Sequence, residues 1–294
     1  MPQKRLNPYI VHSIFILAAV SCLFPVVLLI MASLTSSDSL IVDGYSLFPK
    51  NIDFEAYQYL WNQGTTIFSA FGISTLITVV GTIAGVIISA LIAYPLSRQD
   101  MPFRKIIAFL VFFSMLFNGG LVSAYLVYTE IFHIKNTLLA LLLPNLLTNG
   151  FLIFLIRTFF TTSVPIPVIE SAYIDGAGEG LIFRKIVLPL SLPIMATSAI
   201  TVAIVYWNDW NNGLIYLTDP QLFGIQNLLN RMLSDAQFFQ SNSLGGQNVA
   251  LTSNVPLESV RLAMGVVGML PLIIAYPFFQ KYLIGGLTIG AVKG

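Results

Sequence analysis

Residues 164–190 read VPIPVIESAYIDGAGEGLIFRKIVLPL, from Val164 to Leu190. This stretch separates two long apolar runs and holds a dense set of local structure signals. Pro165 and Pro167 suit the first turn of a short helix, because a proline there loses no intrahelical bond. The helix is expected to run through Glu170 and Ala172 to about Asp175. Gly176 can then take the left-handed conformation that ends a helix, and Gly178 and Gly180 add freedom. A second short helix through Phe183 and Ile186 should end near Pro189. The expected product is a helix–turn–helix hook. Ala172, Gly176 and Ala177 would let another protein approach closely, while Phe183 and Ile186 would anchor in a pocket.

On either side the chain is apolar. A membrane-spanning helix needs roughly 20 mostly apolar residues. Six runs meet this requirement, at about Ser13–Ser33, Phe68–Ser97, Ile106–Tyr128, Thr137–Thr158, Pro193–Leu217 and Glu258–Gln280. None alternates with the strand period, which argues against a barrel. The second run is long enough to tilt or to extend beyond the bilayer. The first follows Lys4 and Arg5, as the core of a signal peptide would. It exceeds the roughly 7–15 residues of such a core, and Ser33-Leu34-Thr35 is a poor cleavage site. It reads as a retained first helix. The expected fold class is an all-α polytopic membrane protein with six transmembrane helices.

Composition agrees. Of the 294 residues, 56% are hydrophobic and 9% charged, against roughly 25% charged in a soluble domain. Mean hydropathy is +0.83. Such a chain cannot cover a water-facing surface with polar groups. That excludes a soluble enzyme, a nucleic-acid binder and a disordered protein. The single cysteine, Cys22, excludes a disulfide framework and a cysteine-based metal cluster.

The net charge of +1 matters less than where the cations sit. With the N-terminus in the cytoplasm, the inner segments hold ten of the 14 lysines and arginines: Lys4, Arg5, Arg98, Arg104, Lys105, Arg157, Arg184, Lys185, Lys281 and Lys293. The outer segments hold Lys50, Lys135, Arg231 and Arg261. By the positive-inside rule both termini are cytoplasmic. The expected organisation is a cytoplasmic N-terminus at 1–12 and one transmembrane domain at 13–294. Within that domain lie a cytoplasmic loop at about 159–192 with the hook, an outer loop at about 218–256 and a cytoplasmic tail at 281–294. The outer loop is rich in Asn, Gln, Ser and Gly and reads as a mobile connector. Gly285, Gly286, Gly290 and Gly294 weigh against a stable helix in the tail.

Glu170-Ser171-Ala172, followed by Asp175-Gly176-Ala177, Phe183 and Leu188-Pro189, resembles the EAA loop of bacterial ABC importer membrane subunits. Ser171 stands where that pattern has alanine, and it too is small. The resemblance implies a type I ABC importer permease fold, with the hook as the coupling helix seated in a cleft of an ATP-hydrolysing subunit. It extends over nearly the whole chain. Phe117-Asn118-Gly119-Gly120-Leu121, Lys135-Asn136-Thr137-Leu138, Trp207-Asn208-Asp209-Trp210-Asn211 and the C-terminal GLTIGAVKG (286–294) are similar to the carbohydrate branch. Within it they resemble the LplC/YtcP-like relatives of the second maltose-type permease. Relatives of that kind send their tail toward the ATPase interface, and the matching tail through Lys293 suggests the same here; a frayed terminus is the other reading.

The fifth run raises the question of substrate. From Pro193 to Tyr206 there are only 14 residues, short of the roughly 20 needed to cross. The polar stretch that follows should therefore lie within the outer part of the span. On a continuous helix, Trp207, Asn208, Asn211 and Asn212 share an arc of about 140°. Polar side chains at that depth face the protein interior or a water-filled cavity. Aromatic faces and amides also suit sugar C–H groups and hydroxyls. Two readings stand: an arc with Trp210 that lines a substrate cavity, or an interfacial aromatic belt with amides between helices. Asp209 points away from the arc, toward a helix partner or a ligand. Asn118, Gly119 and Gly120 interrupt the third run, for a bend and substrate approach or for packing.

No G-x-x-x-x-G-K-[ST] is present, and Gly176 to Gly180 lacks the following lysine. ATP and its Mg²⁺ are then expected in a partner ATPase, with no cofactor, catalytic residue or metal site in this chain. His12 and His133 read as interfacial. What the resemblance implies is an assembly: this chain, a homologous second permease, two ATPase subunits and an extracytoplasmic solute-binding protein, in a bacterial cytoplasmic membrane, importing an oligosaccharide. An ABC permease for peptides or amino acids, or an ion-coupled secondary transporter, is the competing class. The second would want a paired charge at the membrane midplane.

Overall fold

The computed structural model describes residues 8–144, 146–243 and 257–289. The described residues are almost entirely helical, with one isolated bridge between Thr35 and Ile52. The first two apolar runs form unbroken helices, α1 (Pro8–Ser33) and α4 (Gly64–Ser97), each long and apolar enough to cross a bilayer. The 34 residues of α4 reach about 51 Å, well beyond a hydrocarbon core of roughly 30 Å. Between α1 and α4 lie two short helices, α2 (Ser37–Asp43) and α3 (Glu55–Asn62).

The next three runs are broken, the third at the Asn118-Gly119-Gly120 interruption. The third becomes α5 (Arg104–Leu116) and α6 (Gly120–Leu126), the latter continuing as a π-helical turn over Val127–Ile131. The two parts bend by 114°. Asn118 Oδ1 accepts from the Gly120 N–H at 2.9 Å, and Gly120 sits at φ +82°, a conformation glycine adopts freely. The fourth run becomes α7 (Leu139–Leu142) and α8 (Gly150–Ser163). Pro144 has no N–H to continue α7. Asn149 Oδ1 accepts from the Leu152 N–H at 3.2 Å and caps α8.

After α8 come α9 (Ile166–Ile174), α10 (Glu179–Ile182), a π-helical turn (Phe183–Val187) and α11 (Leu188–Leu190). The fifth run becomes α12 (Leu192–Trp207) and α13 (Asn211–Tyr216). The stretch read as a connector contains a helix, α14 (Ile225–Ser243), and the last run lies in α15 (Leu257–Ile289). That helix passes through Gly285 and Gly286. Two glycines at about 1 kcal/mol each do not end a long helix whose neighbours are Leu283, Ile284, Leu287 and Ile289. The remaining tail positions, Gly290, Lys293 and Gly294, and loop residues 244–256 lie outside the described residues.

The chain divides into two compact units, 1–68 with 228–270 and 69–227 with 271–294. In the first, Ser33 Oγ pairs with Tyr57 Oη at 2.7 Å, and Ser37 Oγ with Ser259 Oγ at 2.8 Å. The second holds an extended core that includes Ile77, Leu96, Ile156, Ile182, Val202 and Tyr216. Its helices approach closely through small residues on α4. Gly81, Gly85, Ser89 and Ala93 recur every four residues, so they form one stripe. A Cβ at Gly85 would meet Leu147 O at 3.3 Å and Val202 Cγ1 at 3.5 Å. Small-xxx-small spacing of this kind lets apolar helices touch backbone to side chain.

Candidate functional site

The hook forms as its residues dictate. Pro165 flanks α9 in extended geometry, Pro167 sits in its first turn, and Asp175 ends it. Gly176 follows at φ +80°. The Gly176 N–H donates to Tyr173 O at 2.9 Å, and the Ala177 N–H to Ala172 O at 2.9 Å. These bonds satisfy carbonyls that the helix end would otherwise leave open. α9 turns by 77° from α8, and the 179–190 segment turns by 80° into α12. The hook is therefore set at an angle between α8 and α12, continuous with both, and packs on the same core.

The structure sorts the expected hook residues into two groups. Glu170, Ser171, Asp175 and Gly176 are exposed. Ala172 is buried, and Ala177 packs partly buried against the core. Phe183, expected to anchor in a pocket, has an apolar bed within this chain. Its ring lies 4.9 Å from the Tyr94 ring and 6.5 Å from that of Phe160, inside its own unit. A phenyl group that already has an apolar bed gains nothing by leaving it. Ile186 also packs on the core, and Pro189 lies exposed inside α11 without ending the segment before Ser191. Sequence reasoning missed Ile174, which is 87% exposed at the tip of α9. An isoleucine immediately before the Asp-Gly turn, one turn after Glu170, was the available signal.

Behind the hook lies a polar cluster. The Glu179 carboxylate accepts from the hydroxyls of Tyr94 and Tyr173. Arg98 donates to Tyr173 Oη at 3.3 Å and pairs with Asp100 at 3.4 Å. Burial, and then the bond to Glu179, push the Tyr173 hydroxyl above its ordinary pKa. Burial works against the Arg98 charge, yet Asp100, Tyr173 and Glu179 outweigh it and hold the guanidinium above its ordinary value. Leu96 O, an orphan carbonyl at the end of α4, accepts from Arg104 Nε at 2.9 Å and Arg157 Nε at 3.0 Å. Cations at a helix C-terminus are favoured there.

The polar end of the fifth run does not form a single arc. α12 ends at Trp207, so the four residues are not on one helix. Asp209 sits at the break. Its Oδ1 accepts from the backbone N–H groups of Asn211 and Asn212, at 3.2 and 3.3 Å, and so satisfies two open donors in the first turn of α13 from just outside its N-cap, Trp210. Its partner is thus local backbone. Trp207 and Asn212 are buried, and Asn212 Nδ2 donates to Pro144 O at 3.0 Å. Asn208, Trp210, Asn211 and Asn118 are exposed. Asn208 Nδ2 donates to Ile204 O in its own helix at 2.9 Å. Trp207 also lines a cavity of about 500 Å³, together with Thr75, Thr78 and Thr82 of α4. The hydroxyls of Thr78 and Thr82 are buried without a hydrogen-bond partner among the described residues.

Comparison with known proteins places this architecture. The family described as "Binding-protein-dependent transport system inner membrane component" matches residues 81–288. The chain is 32% identical over 292 residues to the polygalacturonan/rhamnogalacturonan transport system permease protein YtcP of Bacillus subtilis (strain 168), covering 99% of this chain and 100% of that one. It is 35% identical over 272 residues to protein LplC of the same organism, covering 92% and 90%. It also aligns with a chain in the crystal structure of a bacterial ABC transporter involved in the import of the acidic polysaccharide alginate. The TM-score is 0.77 at 25% identity, over 93% of this chain and 95% of that one. With its hook intact between two long helices, and the family match spanning most of its length, the chain belongs to the inner membrane components of binding-protein-dependent transport systems.

Proposed function

We propose that this chain is one transmembrane half of an ATP-driven carbohydrate importer whose cargo is an oligosaccharide. The observation that carries this reading is the hook. A short helix with an exposed acidic and apolar tip, joined directly to α8 and α12, is built to be pushed by another protein. The named relatives carry saccharides, which sets carbohydrate ahead of peptides and amino acids. Family membership sets ATP-driven transport ahead of ion coupling.

In this reading the six spans are α1, α4, α5–α6, α7–α8, α12–α13 and α15, and both termini are cytoplasmic. The ten-to-four distribution of lysine and arginine supports that orientation. Two ATPase subunits hold ATP and Mg²⁺ and receive this hook and that of a second permease. Glu170, Ser171, Ile174, Asp175 and Gly176 make the contact. Ala172, Ala177 and Phe183 hold the hook to its own unit. An extracytoplasmic binding protein delivers the sugar to a pathway shared by the two permeases. Exposed Asn118, Asn208, Trp210 and Asn211 offer it amides and an aromatic face. Trp207 and Asn212 position that surface from behind. This chain catalyses no covalent step.

The test is to purify the tagged chain from its native membrane in mild detergent and identify what remains bound. Recovery of a second permease and an ATPase, with ATP-dependent saccharide uptake in proteoliposomes, is the expected result. A chain that transports alone and without ATP would overturn the reading.

A further inference from the structure

Glu179 opens the second half of the hook, and its carboxylate is shared. One oxygen accepts from the Tyr94 hydroxyl near the C-terminal end of α4, and the other from the Tyr173 hydroxyl in α9. Arg98, just beyond α4, donates to the Tyr173 hydroxyl and lies 5.5 Å from the centroid of its ring. Both halves of the hook are therefore tied to the end of one helix that does not itself enter the hook. Hydrogen bonds to an ionised acceptor are stronger than neutral ones. The Tyr94 ring also packs, tilted by 43°, against that of Phe183, so the tie has an apolar as well as a polar part.

α4 continues from this tie to the cavity. Thr75, Thr78 and Thr82 lie on its cavity face, opposite Trp207 of α12. Thr82 and Tyr94 are separated by about 18 Å along the axis. Sharp kinks in helices arise at proline, at π-bulges or at inserted side chains. α4 runs as one helix through both residues; its one proline, Pro95, leaves Leu91 O without its usual donor and so loosens only the last turn, which Tyr94 shares. A displacement of Tyr94 is thus a displacement of the threonine face.

We propose that the Tyr94–Glu179–Tyr173 clasp transmits movement of the hook into α4, so that coupling reaches the cavity through α4 as well as through the covalently joined α8 and α12. Tyr94, Tyr173 and Glu179 are positioning residues for transport. The proposal rests on the importer reading above.

The experiment uses the full complex of both permeases, the ATPase and the sugar-loaded binding protein, reconstituted in proteoliposomes. Tyr94→Phe removes one of the shared bonds, and Glu179→Gln replaces the carboxylate that accepts both by an amide with a single acceptor oxygen, each with little change of shape. Two quantities are read: sugar imported per ATP hydrolysed, and the amount of ATPase that co-purifies. Each variant is expected to lose at least about fivefold in sugar per ATP, the lower end of a typical coupling effect, with ATPase recovery unchanged. The double variant should be no worse than the poorer single, because both changes break one interaction. An unchanged ratio overturns the clasp. So does a loss of uptake that tracks lost ATPase recovery, which would make the cluster only a scaffold for the hook. Should Glu179→Gln fail to fold, Tyr94→Phe, which keeps the ring on Phe183, carries the same test. A wild-type complex that imports no sugar with ATP would overturn the importer reading instead.

Discussion

The Tyr206 ring occupies the space that a side chain at Gly81 would need: a Cβ there would lie 2.4 Å from Tyr206 Cζ. The same ring sends its hydroxyl to Leu142 O at 2.9 Å. Tyr206 of α12 is thereby held between a glycine of α4 and the end of α7, and it cannot swing away without losing a buried hydrogen bond.

Gly81→Ala should therefore overpack this junction. Overpacking a closed core costs about 1–3 kcal/mol, and here the obstacle is a ring that is itself pinned. The expected result is a lower midpoint of thermal unfolding in detergent and poorer recovery of the purified chain. Gly72→Ala is the control, since nothing lies within 4 Å of a Cβ there. Equal midpoints for the two variants would contradict the packing argument.

At Gly176 the constraint is the backbone alone. Its φ is +80°, and a Cβ would meet nothing within 4 Å. Gly176→Ala should cost about 1 kcal/mol, and Gly176→Asn less, because asparagine tolerates this region. Gly176→Pro cannot adopt the angle and should abolish ATPase recruitment. Co-purification of the ATPase orders the variants, and an alanine variant worse than proline would refute the conformational reading.

Ile174 and Glu170 are exposed one turn apart on the hook. Ile174→Asp and Glu170→Lys should leave the unfolding midpoint of the isolated chain within about 0.5 kcal/mol of wild type, as surface changes usually do. Both should lower co-purification of the ATPase and uptake. A destabilised chain with normal recruitment would place these side chains in the core instead.

Asn212 and Asn208 should separate in opposite ways. Asn212→Ala removes a buried bond to Pro144 O and should destabilise the chain by about 1–3 kcal/mol. Asn208→Ala loses only a bond to its own helix at an exposed position. It should keep stability while changing the apparent affinity for sugar during uptake. Asp209→Asn should preserve the bonds to the first turn of α13, whereas Asp209→Ala should cost about 1 kcal/mol. Thermal unfolding and uptake kinetics on the same preparations distinguish the three positions.

Much of this protein was legible in its sequence because the relevant signals are local. Apolar run length, the prolines at 165 and 167 and the glycine at 176 each act within a few residues. They determine helical content, the hook and the place where α9 stops. Cation placement along the chain is a one-dimensional property too, so an orientation could be inferred without a fold. The motif around Glu170 was readable for the same reason. The Gly81–Gly85 stripe was not read from the sequence, and nothing in one dimension identifies Tyr206 as its partner.

Tertiary structure decided what depends on neighbours distant in the chain. Whether Phe183 served another protein or its own unit turned on Tyr94 and Phe160, 89 and 23 residues away by number. The helical arc of Trp207, Asn208, Asn211 and Asn212 assumed an unbroken helix. The bonds of Asp209 to the first turn of α13, together with the hold of Pro144 O on Asn212, replaced that arc with one buried and one exposed pair. Glu179 carried no visible role, because its two tyrosines come from different helices. A helix is specified by its own residues, but the direction in which a side chain spends its hydrogen bonds is specified by whatever the fold brings beside it.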